Sequence, residues 1–288
     1  MTEKTPGLRS LALALRRLRE AAGMSREDVI AEGPVSKSTL RRAENAEARP
    51  NRGTLHHLLT RYGADAATRT EIDALWEEAG RQDFLRPFHA DLRRDYKAWI
   101  ACEDVAAQVR SYESSFIPGL VQTRDYAAAV IQGVWPSATS TDLEHHVQAR
   151  IERQAVLVRP KPLTLTAVMD QAALRRAVGG PHVMAEQMRH LQTLAEQPHI
   201  TLHVIPWSVG AHPGMPGSFA VATFTKAGEP AVVYIDGMAG DALLDSEQDA
   251  EHYTEIFAAL QTAALSTRDS LALIAEAARE FNHELETA

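Results

Sequence analysis

What constrains this chain most is how often its first eighty residues interrupt their own helices. Leu8, Leu11, Leu15 and Leu18 recur at spacings of three and four, which makes one apolar stripe along a helix. Gly23 then suits the left-handed position that ends such a helix. Ser25, with Asp28 three residues on, is a capping-box-like start for a second helix. That helix, "REDVIAE", is stopped at Gly33-Pro34, because proline lacks the donor and clashes with the preceding turn. Ser36 caps a third, "KSTLRRAEN", with Leu40 and Ala43 facing inward. Arg49-Pro50-Asn51 makes a loop. Leu55, Leu58, Leu59 and Tyr62 form a fourth stripe closed by Gly63, and Ile72, Leu75, Trp76 and Ala79 form a fifth. The prediction is an all-α unit of about five helices over residues 1–80.

Charge separates this unit from the rest. The chain has 288 residues and a formal net charge of -8. Residues 9–61 hold 11 Lys/Arg against 6 Asp/Glu, whereas the remainder holds 19 against 32. A basic module therefore sits on an acidic body, a division of labour that suits a polyanionic partner. Short helices joined by a tight turn are the layout of a helix-turn-helix reader. Such a reader presents small polar and basic side chains to base edges in a groove about 12 Å wide, while its neighbours touch phosphate. Lys37, Ser38, Thr39, Arg41 and Arg42 are side chains of that kind. A solvated basic helix face is the rival reading of the segment taken alone.

The stretch "GMSREDVIAEGPVSKSTLRRAENAEARPNRGTLHHLLTRYG" resembles the Xre/lambda-repressor-like helix-turn-helix family, over roughly residues 8–79. The resemblance implies that the third helix lies in the major groove of double-stranded DNA. Lys37, Ser38 and Arg41 would read base edges, and Thr39 and Arg42 would touch backbone. Arg26 would grip phosphate, and Ser36 and Arg49 complete the expected DNA-facing set. The chain departs from the family at Arg26, where a Gln is usual, at Ile30, where a small residue is usual, and at Pro34, where Gly is usual. These departures bear on docking and on the angle between the two helices.

Residues 81–95 read as a connector, and residues 96–288 as an α+β domain with a mixed sheet of about four or five strands. A helix is expected around Tyr96 to Asp104, extended chain from Gln108 to Tyr112, and a turn at Pro118-Gly119. A helix follows Thr123, and another runs from Thr141 to Leu157, burying Leu143, Val147, Ile151 and Ala155. "PLTLTAVMD", "HITLHVIPW", "GSFAVATFT" and "PAVVYID" read as strands. Pro181 opens a helix between the first two of them. Two helices close the chain, carrying Tyr253, Ile256, Phe257 and Leu260 on one and Leu271, Ile274, Ala278 and Phe281 on the other. "RSYESSFIPGLVQTRDYA", the run from "VGGPHV" to "GMPGSFAV" and "VVYIDG" resemble the uncharacterised C-terminal domain of actinobacterial WhiJ-type regulators. That resemblance implies antitoxin-like behaviour and a small BldB-type partner protein or a small signal acting on this domain.

Candidate sites beyond the reader are few. "GAHPGMPGSF" (Gly210 to Phe219) is a possible ligand or partner loop through His212, Pro213, Gly214 and Met215, or else an irregular crossover. His199 and His203, four apart on a strand, stand about 13 Å from each other, too far for one metal ion. His145-His146 and His56-His57 read as surface residues. "VGGPHV" is a turn with a weak anion-nest pattern, and the acids of "DSEQDAEHY" favour a helix dipole. The single cysteine, Cys102, excludes an intrachain disulfide. No catalytic motif, dinucleotide fingerprint or metal-ligand spacing appears, so the expectation is a non-enzyme with no cofactor and no metal. The opening residues do not read as a signal peptide, because Arg16, Arg17 and Arg19 break a short apolar run, and no window suits a membrane span. The expected protein is cytoplasmic and a homodimer, since two-fold pairing would set half-sites about 34 Å apart. The alternative is an antitoxin-like protein that sequesters a small partner and binds DNA for autoregulation.

Overall fold

The computed structural model describes residues 6–31, 33–79, 92–225, 230–237 and 240–287. Two compact units divide the chain, Met1–Arg86 and Pro87–Ala288. The greater part of the expected connector lies outside the described residues.

Among the described residues the first unit holds five helices: α1 (Pro6–Ala21), α2 (Arg26–Ala31), α3 (Lys37–Glu44), α4 (Arg52–Arg61) and α5 (Ala66–Glu78). Each predicted stripe meets the others in one core, in which Leu15, Leu40, Leu55 and Leu58 are fully buried. Side chains close the helix starts. Asp28 accepts the Ser25 N–H at 2.8 Å while Ser25 Oγ accepts the Asp28 N–H at 3.1 Å, so both ends of that box are made. The Ser25 hydroxyl, which donates to Asp28 Oδ2 at 2.6 Å, and then the Ser25 N–H hold the Asp28 carboxyl below its ordinary range. Asn51 and Asp65 accept the N–H groups of Thr54 and Thr68 in the same way, each at 2.8 Å. Gly23 ends α1 with φ of 68°, the left-handed conformation its position predicts.

The second unit is a sheet with helices on both faces. In chain order it runs α6 (Arg94–Val105), β1 (Gln108–Glu113), α7 (Arg124–Val134), α8 (Ser140–Arg153), β2 (Thr164–Asp170), α9 (Gln171–Arg175) and α10 (Pro181–Leu194). It continues with β3 (Ile200–Ile205), β4 (Phe219–Thr223), β5 (Val232–Ile235), β6 (Ala242–Leu244), α11 (Glu247–Ala263) and α12 (Thr267–Thr287). The six strands among the described residues lie in the order β3-β2-β1-β4-β5-β6. β1, β2 and β3 are parallel, and β4, β5 and β6 join them antiparallel. The sheet is thus mixed, with one strand more than the upper expectation. β6 escaped notice because three residues without β-branched alternation carry no period.

Alternation sorts the strands into two cores. Val109, Leu165, Ala167, Leu202, Val204, Ala222 and Val232 pack with α6, α7, α10 and α12. Their neighbours Tyr112, Val168, Ile205, Phe219 and Val233 pack with Phe257 and Leu260 of α11. β2 is therefore buried on both faces, as a central parallel strand must be. The outer rim of β3 is covered at its C-terminal half. Leu265 N–H donates to Val204 O at 2.9 Å, Val204 N–H donates to Ser270 Oγ at 3.0 Å, and His203 Nδ1 lies 3.0 Å from Leu265 O.

One expectation fails inside this unit. The helix expected through Leu157 ends at Arg153 and tightens into a 3-10 turn over Gln154–Leu157. The change of pitch turns Ala155 outward and Val156 and Leu157 inward, and leaves Leu143 and Ile151 half-buried. It also buries Arg153, whose guanidinium Nε lies 2.5 Å from Glu103 and whose Nη1 donates to the Tyr96 hydroxyl at 2.7 Å. Glu103 is 1% exposed. Replacing Glu103→Ala leaves Arg153 buried without its anion, and should cost this unit about 3–5 kcal/mol of unfolding free energy, measured by denaturant titration.

Candidate nucleic-acid interface

The reading helix is short and well fastened at its start. Ser36 precedes α3 in extended conformation, and its Oγ accepts the Thr39 N–H at 3.1 Å. The same hydroxyl lies 3.0 Å from Ser38 Oγ and 2.8 Å from Thr39 Oγ1. Ser36 is therefore occupied by capping. Leu40, Ala43 and Glu44 turn inward, so the helical period points Lys37, Ser38, Arg41 and Arg42 outward, with Thr39 half-buried.

The exposed cations are not all free. Lys37 Nζ stands 3.8 Å from Glu27, and Arg41 Nη1 stands 3.0 Å from Glu47. Arg42 makes no side-chain hydrogen bond or ion pair among the described residues. The face thus offers one unengaged guanidinium flanked by two cations that carry exposed or partly exposed carboxylate partners. A phosphate competes with such partners at modest cost, since exposed pairs are worth about 0–1 kcal/mol.

What holds α3 in place is Glu44, and neither composition nor periodicity singled it out. Its side chain is 0% exposed. Arg19 of α1 reaches it at 2.7 Å through Nε, and Arg26 of α2 reaches its other oxygen at 2.7 Å. Arg19 also donates to Met24 O at 2.8 Å, tying in the α1–α2 turn. Hydrogen bonding to Glu44 raises the Arg19 guanidinium further above its ordinary value. One carboxylate therefore joins three helices. Arg26, expected at phosphate, is half-buried and engaged in this clamp. Its departure from the usual Gln has a structural reason: it supplies the second cation that Glu44 takes.

Arg49 is exposed but directed at α5. Its guanidinium lies 4.0 Å from the centroid of the Trp76 ring and donates to Trp76 O at 3.1 Å. Trp76 Nε1 donates in turn to Pro50 O at 2.7 Å, which fixes the loop entering α4. At Gly33, in the turn before α3, a Cβ would meet His57 Nε2 at 2.4 Å. His57 is half-buried over that turn and not a surface residue; its neighbour His56 is exposed.

The loop from Gly210 to Phe219 closes on the sheet. His212 Nε2 lies 3.3 Å from Asp170 Oδ2 at the end of β2, and its Nδ1 accepts the Gly214 N–H at 3.3 Å. Gly214 is pressed on the Tyr112 ring, where a Cβ would come within 2.4 Å of Cζ. Pro213 and Met215 remain exposed, Met215 at 65% and the nearby Trp207 at 60%. The loop is pinned by His212 and Gly214, and its apolar tip faces outward. His199 and His203 do not converge, since His199 Nε2 lies 2.9 Å from Leu157 O and His203 bonds Leu265 O. His146 is half-buried, edge-on to Trp135 at 5.1 Å. Among the described residues no three His, Cys, Asp or Glu gather as a metal site would need, and no helix is long and apolar enough to cross a membrane.

Residues 10–72 match the helix-turn-helix domain family. Residues 96–276 match the family described as a domain of unknown function, DUF5753, and that match spans more than half of the chain. The chain belongs to the DUF5753 family. No curated protein and no solved structure matches it. The helix-turn-helix match takes in α2, α3 and α4 whole, and so the residues of the exposed face belong to a DNA-binding module. The DUF5753 match begins at Tyr96 within α6 and takes in all six strands.

The clamp and the loop each make a testable demand. Glu44→Ala leaves Arg19 and Arg26 without their shared anion, and the first unit should lose about 3–5 kcal/mol by urea denaturation followed at Trp76. Gly214→Ala forces the loop off Tyr112 and should cost about 1–3 kcal/mol, measured on the same scale.

Proposed function

We propose that this chain is a sequence-specific DNA-binding transcriptional regulator of Xre-like type, with α3 as its reading helix. The observation that carries this is the outward face of α3: Ser38, Arg41 and Arg42, with Lys37 beside them, on a capped helix whose other side is locked by Glu44. Lys37, Ser38 and Arg41 read base edges, and Arg42 takes a phosphate. Arg26, Ser36 and Arg49 act one step back, by positioning, capping and bracing. The regulator is a homodimer, because one helix this short makes few base contacts and two-fold pairing doubles them. Its work is binding and not catalysis, and it takes place where the DNA is, inside the cell.

The DUF5753 unit receives the controlling input, a small signal or a small protein of the BldB type, as the resemblance to WhiJ-type regulators implies. A second reading, antitoxin-like sequestration of a protein partner, is favoured by exposed Trp207 and Met215 at the tip of a pinned loop. Under it, DNA binding serves autoregulation. Co-purification from the native host separates the two. A stoichiometric small protein lost on Trp207→Ser supports sequestration, and DNA binding with no such partner supports the first reading.

DNA binding itself is tested with a site selected from genomic fragments. Lys37→Ala with Arg41→Ala should weaken the selected site by about 1–3 kcal/mol per base contact while nonspecific binding falls less. Arg42→Ala should lower affinity evenly across sequences and reduce the salt slope by about 1. Glu47→Gln, which frees Arg41, should strengthen nonspecific binding at low salt. Undiminished binding by the double variant in fluorescence anisotropy defeats the assignment of α3.

A further inference from the structure

Arg41 and Arg42 are neighbours on α3, identical in chemistry and both exposed, yet their surroundings differ. Arg41 lies one turn beyond Lys37 and Ser38, and so on their face of the helix. Its Nη1 donates to Glu47 Oε1 at 3.0 Å, and it makes no other side-chain hydrogen bond among the described residues. Arg42 has no such carboxylate.

The chain goes to some length to put Glu47 there. α3 ends in a Schellman turn, in which the Glu47 N–H donates to Arg42 O at 2.8 Å and the Ala46 N–H to Ala43 O at 3.4 Å. Ala46 takes φ of 53°, left-handed backbone that no other non-glycine residue adopts among the described residues. Glycine would hold that conformation without strain, but the Ala46 methyl is buried with Leu8 and Ala12 of α1. Backbone and core therefore fix where the Glu47 side chain starts. Asn45 Nδ2 then donates to the same Oε1 at 3.3 Å, so the carboxylate that meets Arg41 is itself held.

A guanidinium anchored in this way loses net charge and keeps direction. A phosphate contact draws on net charge, through the release of counterions. To take Arg41 a phosphate must displace Glu47, whereas Arg42 needs no displacement. A base edge asks for direction instead. With Nη1 engaged, Arg41 still carries two parallel N–H donors on its Nε and Nη2 edge. Guanine offers two acceptors side by side in the major groove, O6 and N7. Adenine sets a donor beside its N7, thymine a methyl group beside its O4, and cytosine presents a donor. Guanine alone satisfies both remaining donors. Building on α3 as the reading helix, we infer that Arg41 reads a guanine of the operator and that Glu47 is the positioning residue that makes it selective.

Fluorescence anisotropy of the full-length chain on its selected site tests this, with each guanine replaced in turn by 7-deazaguanine, which pairs normally but lacks N7. At one guanine the replacement should weaken the wild-type chain about fivefold or more. It should cost Arg41→Ala nothing further at that position. Arg41→Ala should also leave the salt slope nearly as it was, whereas Arg42→Ala lowers it. Glu47→Ala should shrink the 7-deazaguanine penalty by about two- to fivefold, the worth of an exposed ion pair. Glu47→Gln should shrink it less, because the amide oxygen still accepts from Arg41. Both Glu47 variants should bind an unrelated duplex more tightly at low salt, which an unfolded module could not do. Indifference to 7-deazaguanine at every guanine, or an undiminished penalty in Arg41→Ala, overturns the guanine assignment and leaves DNA binding in place. A Glu47→Ala chain that loses affinity equally for the natural and the 7-deazaguanine site overturns the positioning role. A chain that selects no site at all overturns the regulator reading, and this inference with it.

Discussion

The register of β1 between a parallel and an antiparallel neighbour decides what the larger unit presents. Pairing with β4 at Tyr112 and Phe219 sends the Tyr112 ring into the α11 core, where Phe219, Tyr253 and Phe257 meet it or each other edge-on or tilted. The next residue, Glu113, is thereby committed to the opposite face. A slip of one residue would exchange the two, burying a carboxylate among aromatic rings. Parallel pairing on the other flank brings the end of β2 alongside, so Asp170 meets His212 and the Gly210–Phe219 loop is drawn down over Tyr112. Loop and ring are consequences of one alignment.

The smaller unit depends on a different device. Its helices are too short to set their own crossing angles through wide apolar faces, and Ile30 and Pro34 depart from the residues usual at the turn. Glu44 supplies the missing restraint by holding Arg19 and Arg26 together under α3. Buried ion pairs rarely add net stability, but they discriminate between arrangements, because any packing that separates the partners leaves a charge in the core. The carboxylate specifies geometry at the point where geometry matters to a groove.

Helix count and caps in the first unit were legible because Gly23, Ser25, Ser36 and Gly63 act locally, within a turn of the residues they affect. The outward set Lys37, Ser38, Arg41 and Arg42 followed from the period of Leu40 and Ala43. Roles that depend on distant partners were not legible. Arg26 looked like a phosphate grip because its counter-charge lies eighteen residues away on another helix. Arg153 drew no reading of its own, because its counter-charge, Glu103, lies fifty residues away on α6. The short α9 and β6 carry too few residues for a period to show. The family match assigns the larger unit no chemistry, so its sites had to come from contacts alone.

The covered rim of β3 has a bearing on assembly. At Val204 the N–H and C=O that a stranger's strand would need are already spent on Ser270 and Leu265, so a strand added there could not pair along the full length of β3. At the far side β6 contributes three residues, too brief a ladder to seat a second copy firmly. A continuous sheet running from one copy into the next is therefore disfavoured at both rims, and any pairing of two copies falls to side chains on helices and loops.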